Sequence, residues 1–93
     1  MPDTINVLIP TALRPKAGDN ESLAIAGKSV REVLASLTTT YPDLGKQIFK
    51  SANEVNRFIN LYVNDEDIRF IENLDTPLKG GDELSIVPAI AGG

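Results

Sequence analysis

The sequence predicts an α+β protein in which one main helix lies across one face of a mixed sheet of four to five strands. Strand-like segments stand near both ends of the chain, and one amphipathic helix with clear start and stop signals lies between them. A length of 93 residues allows a single domain. We therefore expect residues 1–88 to form this domain and residues 89–93 to form a flexible tail.

The first two strands are predicted near the N-terminus. Apolar residues alternate with other residues from Ile5 to Ile9, and Pro10 closes the run, which is typical of a half-buried strand. Residues 11–20 are rich in turn-forming residues and predict a long connection. Residues 22–26 are then expected to form the second strand, adjacent and antiparallel to the first.

The main helix is predicted to begin after Ser29 and to end before Pro42. Ser29 is a favourable N-cap, and Glu32 stands three residues later, where a capping-box partner is expected. The spacing of five apolar residues places them on one stripe: Val30, Val33, Leu34, Leu37 and Tyr41. We assign this stripe to the core and give it no catalytic role.

The second half of the chain predicts the remaining strands. Residues 43–56 suggest a short helical turn and a polar connection, and residues 58–63 give a strong strand signal. Residues 64–67 predict a tight turn into a short strand at residues 68–70, and the last strand is expected at residues 83–88. If the first and last strands lie side by side, they run parallel, which is the β-grasp (ubiquitin-like) arrangement.

Composition excludes several classes of function. The chain has no cysteine and no histidine, so thiol nucleophiles, zinc-finger ligands and imidazole bases are absent, and we expect no enzyme and no metal site. A net charge of −4 with scattered basic residues argues against nucleic-acid binding. The apolar runs are too short to span a membrane, and no secretion signal is recognisable, so we expect a cytoplasmic protein.

Several segments resemble the small ubiquitin-like sulfur carriers of the ThiS/MoaD family. The resemblance covers nearly the whole chain and is carried by residues 5–10, 61–65, 78–84 and 87–93. Residues 10–15 and 57–70 are similar to the branch of the family that serves cysteine biosynthesis. The resemblance implies that the C-terminal carboxylate of Gly93, preceded by Gly92, is the reactive group.

The resemblance also implies a set of partners. An adenylating and sulfur-transferring enzyme, similar to ubiquitin-activating enzymes, would use ATP and Mg²⁺ to activate Gly93, which would then become a thiocarboxylate. In the cysteine branch, a pyridoxal-phosphate-dependent cysteine synthase would accept the sulfur, and a metallopeptidase would release cysteine. The chain itself would be a protein cosubstrate that binds no cofactor.

A docking surface is predicted from the alternation of the strands. Residues on the sheet face away from the helix include a set of apolar side chains: Leu8, Pro10, Phe58, Tyr62 and Val87. We expect partners to bind there and to contact the tail residues Ala89, Ile90 and Ala91. The alternative is that residues 43–56 fold over part of this face.

Other functions are open on the sequence alone. The same carrier chemistry could serve thiamine or molybdopterin biosynthesis. A ubiquitin-like modifier would use the same activated Gly93 but would end in an isopeptide bond to a lysine of a target. A regulatory binding module would keep its activity without Gly92 and Gly93.

Overall fold

A computed structural model of the protein describes residues 4–51 and 54–88. The strands in chain order are β1 (Thr4–Leu8), β2 (Ser22–Ala26), β3 (Phe49–Ser51), β4 (Glu54–Val55), β5 (Ile59–Val63), β6 (Glu66–Asp67) and β7 (Glu83–Pro88). The α-helices are α1 (Val30–Thr40) and α2 (Pro42–Ile48). The 3₁₀ helices in these residues are Thr11–Ala17, Ile68–Phe70 and Asn73–Asp75.

The main sheet has five strands in the order β2-β1-β7-β5-β6. The first and last strands, β1 and β7, are parallel neighbours, whereas the other neighbours in the sheet are antiparallel. This topology confirms the predicted β-grasp fold. Strands β3 and β4 form a separate antiparallel hairpin.

The core lies between α1 and the sheet. Alternation along each strand turns one set of side chains toward the helix. The buried apolar residues of the main-sheet strands are Ile5, Val7, Leu61, Val63, Leu84 and Ile86. Four members of the predicted helix stripe are fully buried, namely Val30, Val33, Leu34 and Leu37, and Tyr41 packs partly buried against them.

The predicted capping box forms at the start of α1. The Ser29 hydroxyl accepts a hydrogen bond from the backbone N–H of Glu32 at 3.3 Å. The Glu32 carboxylate accepts one from the backbone N–H of Lys28 at 3.1 Å, one residue earlier than the usual capping-box donor. Together these bonds satisfy amide groups that have no partner inside the helix.

The predicted strand at residues 68–70 is wrong. Asn64 and Asp65 both have positive φ angles, of 50° and 73°, so the turn needs only these two residues and β6 already begins at Glu66. The Asp67 carboxylate then accepts a hydrogen bond from the backbone N–H of Arg69 at 2.8 Å. This contact caps the short 3₁₀ helix Ile68–Phe70 and ends the strand after two residues.

Two predicted connections contain regular structure. Residues 11–20 include the 3₁₀ helix Thr11–Ala17, which ends at Gly18 with a φ angle of 64°. Residues 43–56 contribute most of α2 and the β3–β4 hairpin rather than one helical turn and a polar connection. Leu44 and Ile48 of α2 are fully buried in the main core. These two apolar residues, four positions apart, indicate a helix, but they are too few to show its length.

Candidate docking surface and C-terminal tail

Strand β7 contains the last residues of the chain that the structure describes. It is the central strand, with β1 on one side and β5 on the other. Its pairing with β5 continues to the last residue of the strand, where Pro88 lies opposite Ile59. The predicted tail residues Ala89, Ile90, Ala91, Gly92 and Gly93 follow directly and lie outside the described residues.

Two turns hold the start of β7 in place. The buried Asp82 carboxylate accepts hydrogen bonds from the backbone N–H of Lys79 at 3.0 Å and from the side-chain amide of Asn64 at 3.1 Å. The Asn64 side-chain oxygen accepts a bond from the backbone N–H of Glu83 at 3.0 Å. Asn64 and Asp82, which lie in two of the segments that carry the family resemblance, therefore link the two turns at the start of β7.

Three of the predicted docking residues are neighbours on the sheet face away from α1. Ser85 lies between Leu8 and Tyr62, which pair with it from opposite sides. Val87 stands two residues further along β7, so it is diagonal to both Leu8 and Tyr62 and within reach of them. Val87 is 39% exposed, and the other two are half-buried.

The other two predicted docking residues lie just beyond strand ends. Pro10 is half-buried and precedes the 3₁₀ helix Thr11–Ala17. Phe58 is 47% exposed, and its backbone N–H donates to the side-chain oxygen of Asn56 at 2.9 Å. The Arg57 guanidinium lies 5.3 Å from the centre of the Phe58 ring, a cation–π distance.

The helix-free face is less uniformly apolar than the sequence predicts. Ser85 separates Leu8 from Tyr62 along one row of the sheet, and Asn60 lies beside Val87 in the next row. An apolar area with interspersed polar groups is the usual composition of a non-obligate protein interface. Residues 43–56 were the alternative cover for this face. Within them, α2 makes its main contacts with α1, β3 and the 3₁₀ helix Thr11–Ala17.

An ion pair lies beside this face at the β6 edge of the sheet. Asp67 is opposite Tyr62 in the ladder, and the Arg69 guanidinium donates to its carboxylate at 2.7 Å. The hydrogen bonds from Arg69 lower the pKa of Asp67, against the opposing effect of its burial, and the same contact raises the pKa of Arg69. The Arg69 side chain remains 64% exposed, so a fixed cation is presented to solvent here.

Sequence reasoning missed Phe70 as a candidate contact residue. It is 81% exposed, more than Phe58 or Val87. A strand at residues 68–70 would give Phe70 a cross-strand neighbour, whereas the 3₁₀ helix ends this pairing and leaves the ring in solvent. The available signal was Asp67, an acceptor residue of the type that starts helical turns, directly before Ile68.

Residues 4–51 and 54–88 contain no group of three or more histidine, cysteine, aspartate or glutamate residues that could hold a metal ion. None of the helices in this part of the chain is long and apolar enough to span a membrane.

The family match and the similar curated proteins both point to small sulfur carriers. The model of the ThiS family matches residues 7–93. The sulfur carrier protein CysO of Mycobacterium tuberculosis is 38% identical over 91 residues, which cover 96% of this chain and 98% of the mycobacterial protein.

Two solved structures are similar over nearly the whole chain. The structure of the BexX/CysO complex of Amycolatopsis orientalis contains a chain that is 39% identical with a TM-score of 0.86, covering 96% of this chain and 99% of that one. Small archaeal modifier protein 1 of Methanosarcina acetivorans is 36% identical with a TM-score of 0.86, covering 97% of this chain and 96% of that one.

Proposed function

The chain belongs to the ThiS family, and from that premise we propose that it is a sulfur carrier whose Gly93 becomes a thiocarboxylate that donates sulfide in cysteine biosynthesis. One observation carries the proposal. The family match extends through residue 93, and the described part of the chain ends at Pro88, so the matched region includes the five residues of the predicted tail. The extended similarity to CysO supports the cysteine branch.

The chemistry follows from the properties of a carboxylate. The anion at Gly93 is a poor electrophile, so one of its oxygens first attacks the α-phosphorus of ATP and pyrophosphate leaves. The sulfur of the donor then attacks the carbonyl carbon of the acyl-adenylate, and AMP leaves with the former carboxylate oxygen. The net change at Gly93 replaces one oxygen by one sulfur, and ATP and Mg²⁺ belong to the activating enzyme.

The tail has suitable dimensions for this role. Five residues beyond Pro88 reach roughly 17 Å when extended, which is enough to enter a recessed active site. Glycine has no Cβ, so Gly92 and Gly93 would pass through a narrow channel and leave the acyl carbon unshielded. Because the ladder holds β7 up to Pro88, the reach of the tail would start from a fixed point.

We place the activating enzyme on the helix-free face. Its docking surface would consist of Leu8, Pro10, Phe58, Tyr62 and Val87, with Ala89, Ile90 and Ala91 leading into the active site. The exposure of Phe58 and Val87 and their position next to the start of the tail support this assignment. A pyridoxal-phosphate-dependent cysteine synthase and a metallopeptidase would use the loaded carrier, and we propose the cytoplasm as its location.

A ubiquitin-like modifier is the second candidate. The specific observation in its favour is the 36% identity and TM-score of 0.86 with small archaeal modifier protein 1. In that role the activated Gly93 carbonyl would be attacked by a lysine amine, with loss of AMP and formation of an isopeptide bond. Sulfur transfer to thiamine or molybdopterin biosynthesis is the remaining carrier alternative.

Intact mass spectrometry separates these functions. The protein is incubated with ATP and sulfide in an extract of the cells that encode it, and a chain without Gly92 and Gly93 is the control. Replacement of one oxygen by sulfur at Gly93, absent without ATP, would support the carrier. Lysine-linked conjugates that resist reducing agents would favour the modifier, and an unchanged terminus would favour a binding module.

The cysteine branch needs a second measurement. The thiocarboxylated protein is mixed with the candidate pyridoxal-phosphate enzyme and its amino-acid substrate, and new covalent mass at the C-terminus is recorded. An adduct of one cysteine residue, released as free cysteine after peptidase treatment, is the expected result. Transfer only to a thiazole or molybdopterin precursor would contradict this branch.

A further inference from the structure

Strand β2 is an outer strand of the main sheet. One edge of it pairs with β1 through five consecutive register pairs, from Thr4 opposite Ala26 to Leu8 opposite Ser22, without a bulge. In the described parts of the chain, no strand pairs with its other edge. A free strand edge presents unpaired N–H and C=O groups and is a template for pairing with another chain.

The hydrogen-bond pattern shows which backbone groups are available. The backbone N–H of Ile9 donates to the carbonyl of Glu21 at 2.8 Å. In an antiparallel pair every second residue bonds to the same neighbour, so Leu23 and Ile25 also direct their backbone groups to β1. The residues that direct N–H and C=O away from the sheet are therefore Ser22, Ala24 and Ala26, all exposed.

This edge lacks the features that usually protect an outer strand. Residues 22–26 contain no charge and no proline, and their pairing with β1 has no bulge. The opposite edge of the sheet differs, because β6 has only two residues, Glu66 and Asp67, and Asp67 forms an ion pair with Arg69. One edge is thus short and charged, and the other is longer, flat and uncharged.

We propose that β2 pairs antiparallel with β2 of a second copy of this chain, about a two-fold axis at Ala24. This register places Ala24 opposite Ala24 and Ser22 opposite Ala26. Each of these residues directs its backbone groups outward, so every pair can exchange two N–H···O=C bonds. The axis runs perpendicular to the sheet, and each copy contributes the same surface.

The side chains of β2 suit this self-pairing. The sequence Ser-Leu-Ala-Ile-Ala reads small, large, small, large, small in both directions. Leu23 would lie opposite Ile25 of the second copy, and both are half-exposed in the single chain, so pairing would cover apolar surface. The charges at the strand ends do not oppose it, because Glu21 would face Gly27 and Lys28 would face Asn20.

The size of the edge sets the expected strength. A strand of five residues is about 17 Å long, and one strand pair covers less than the roughly 1,200 Å² typical of stable interfaces. The dimer is therefore weak and dissociates on dilution. Strand β7 is separated from β2 by β1, so the start of the tail stays accessible in both copies, and the proposal does not rest on the sulfur-carrier function.

Sedimentation equilibrium of the full chain, from about 10 μM to about 1 mM, tests the association. The variant Ala24→Lys places a charge at the centre of the free edge on an exposed residue. Asn6→Lys is the matched control, because Asn6 is exposed and lies opposite Ala24, but its strand is already paired on both sides. We expect Ala24→Lys to weaken association at least tenfold and Asn6→Lys to change it less than twofold.

Amide hydrogen exchange by NMR identifies the surface. The amides of Ser22, Ala24 and Ala26 should exchange fast in dilute samples and more slowly in concentrated ones, whereas those of Leu23 and Ile25 should be protected in both. A mass of one copy at every concentration, or association that leaves the three outward amides unchanged, overturns the proposal. If these amides become protected only when an extended segment of another protein is added, the edge binds that protein, and the proposed pairing with a second copy is likewise overturned.

Discussion

At the scale of single residues, the turns around β7 depend on backbone conformations that few residues adopt. Gly81 has a φ angle of +93°, and a Cβ added there would meet no atom within 4 Å. The turn it belongs to brings the Asp82 carboxylate to the backbone N–H of Lys79 and the side-chain amide of Asn64. Glycine is therefore favoured at position 81 by its positive φ angle and not by a lack of room for a side chain.

Gly81→Ala should lower the free energy of unfolding by about 1–2 kcal/mol, since an L-residue is strained in this region of φ. Gly80→Ala is the control, because Gly80 is exposed in the same turn without a positive φ. Urea unfolding of both variants gives the comparison. Equal stabilities would show that the turn does not need the glycine conformation at position 81.

The Asp67–Arg69 ion pair predicts a pH-dependent stability. Hydrogen bonds from Arg69 lower the pKa of Asp67 in the folded protein, so the charged carboxylate stabilises the fold above the unfolded pKa of about 3.9. This contribution is lost as the pH falls through the lower folded pKa. Asp67→Asn should therefore lower the melting temperature at pH 7, and the deficit should shrink toward pH 3.

Thermal unfolding followed by circular dichroism between pH 7 and pH 3 measures this deficit. Asp75→Asn is the control, because Asp75 is 76% exposed and its 3.3 Å contact with Arg31 lies in solvent. Exposed pairs contribute about 0–1 kcal/mol, so this control should differ little from the wild type. A deficit of Asp67→Asn that stays constant with pH would contradict the ion-pair explanation.

At the scale of elements, α1 and α2 approach each other closely at a buried glycine. A Cβ at Gly45 would lie 2.5 Å from the Cγ2 and 2.6 Å from the Oγ1 of Thr38 in α1. Thr38 is itself held by a hydrogen bond from its hydroxyl to the carbonyl of Leu34 at 2.8 Å. The small residue allows α2 to bury Leu44 and Ile48 in the core.

Gly45→Ala should destabilise the protein, although alanine favours helix by about 1 kcal/mol. The clash with Thr38 forces the helices apart, and overpacking of this kind costs about 1–3 kcal/mol. Combining Gly45→Ala with Thr38→Ala should recover part of the loss, as measured by a double-mutant cycle in urea unfolding. If the two substitutions change the free energy of unfolding additively, the side chains at positions 38 and 45 are not in contact.

At the scale of the whole molecule, the sheet joins the tail to the proposed docking surface. Val87 is diagonal to Leu8 and Tyr62 and is one residue from Pro88, where the described chain ends. A partner that covers Val87 would thus hold the start of the tail. The uncharged β2 edge lies two strands away and would remain available for a second copy.

Phe58→Ser should slow ATP-dependent activation of Gly93 roughly thirtyfold if Phe58 is an interface hot spot worth about 2 kcal/mol. The folding stability of the Phe58→Ser variant should change little, because the Phe58 ring is 47% exposed. Phe70→Ser is the comparison, since Phe70 is more exposed but outside the proposed surface. Pyrophosphate release with the purified activating enzyme is the measurement, and equal losses in both variants would argue against this surface.

Hydrophobic alternation and capping residues predict β1, β2, α1, β5 and β7, because each of these elements repeats its pattern over several turns or pleats. The position of β6 and the length of α2 were not predicted correctly, for local reasons. β6 depends on a two-residue turn with positive φ at Asn64 and Asp65, and α2 contributes only Leu44 and Ile48 to the core. Neither is long enough to show a period.

The sequence by itself determined the fold class, because periodicity and caps are local properties, and its resemblance to a known family predicts the reactive group. That the two end strands are parallel neighbours became visible only in the sheet. Only the tertiary structure decided how the surfaces are composed. Side chains distant in sequence, such as Leu8, Ser85 and Tyr62, become one row through strand register. Register likewise decides that Ser22, Ala24 and Ala26 direct their backbone groups outward, because it depends on pairing between segments rather than on either segment alone.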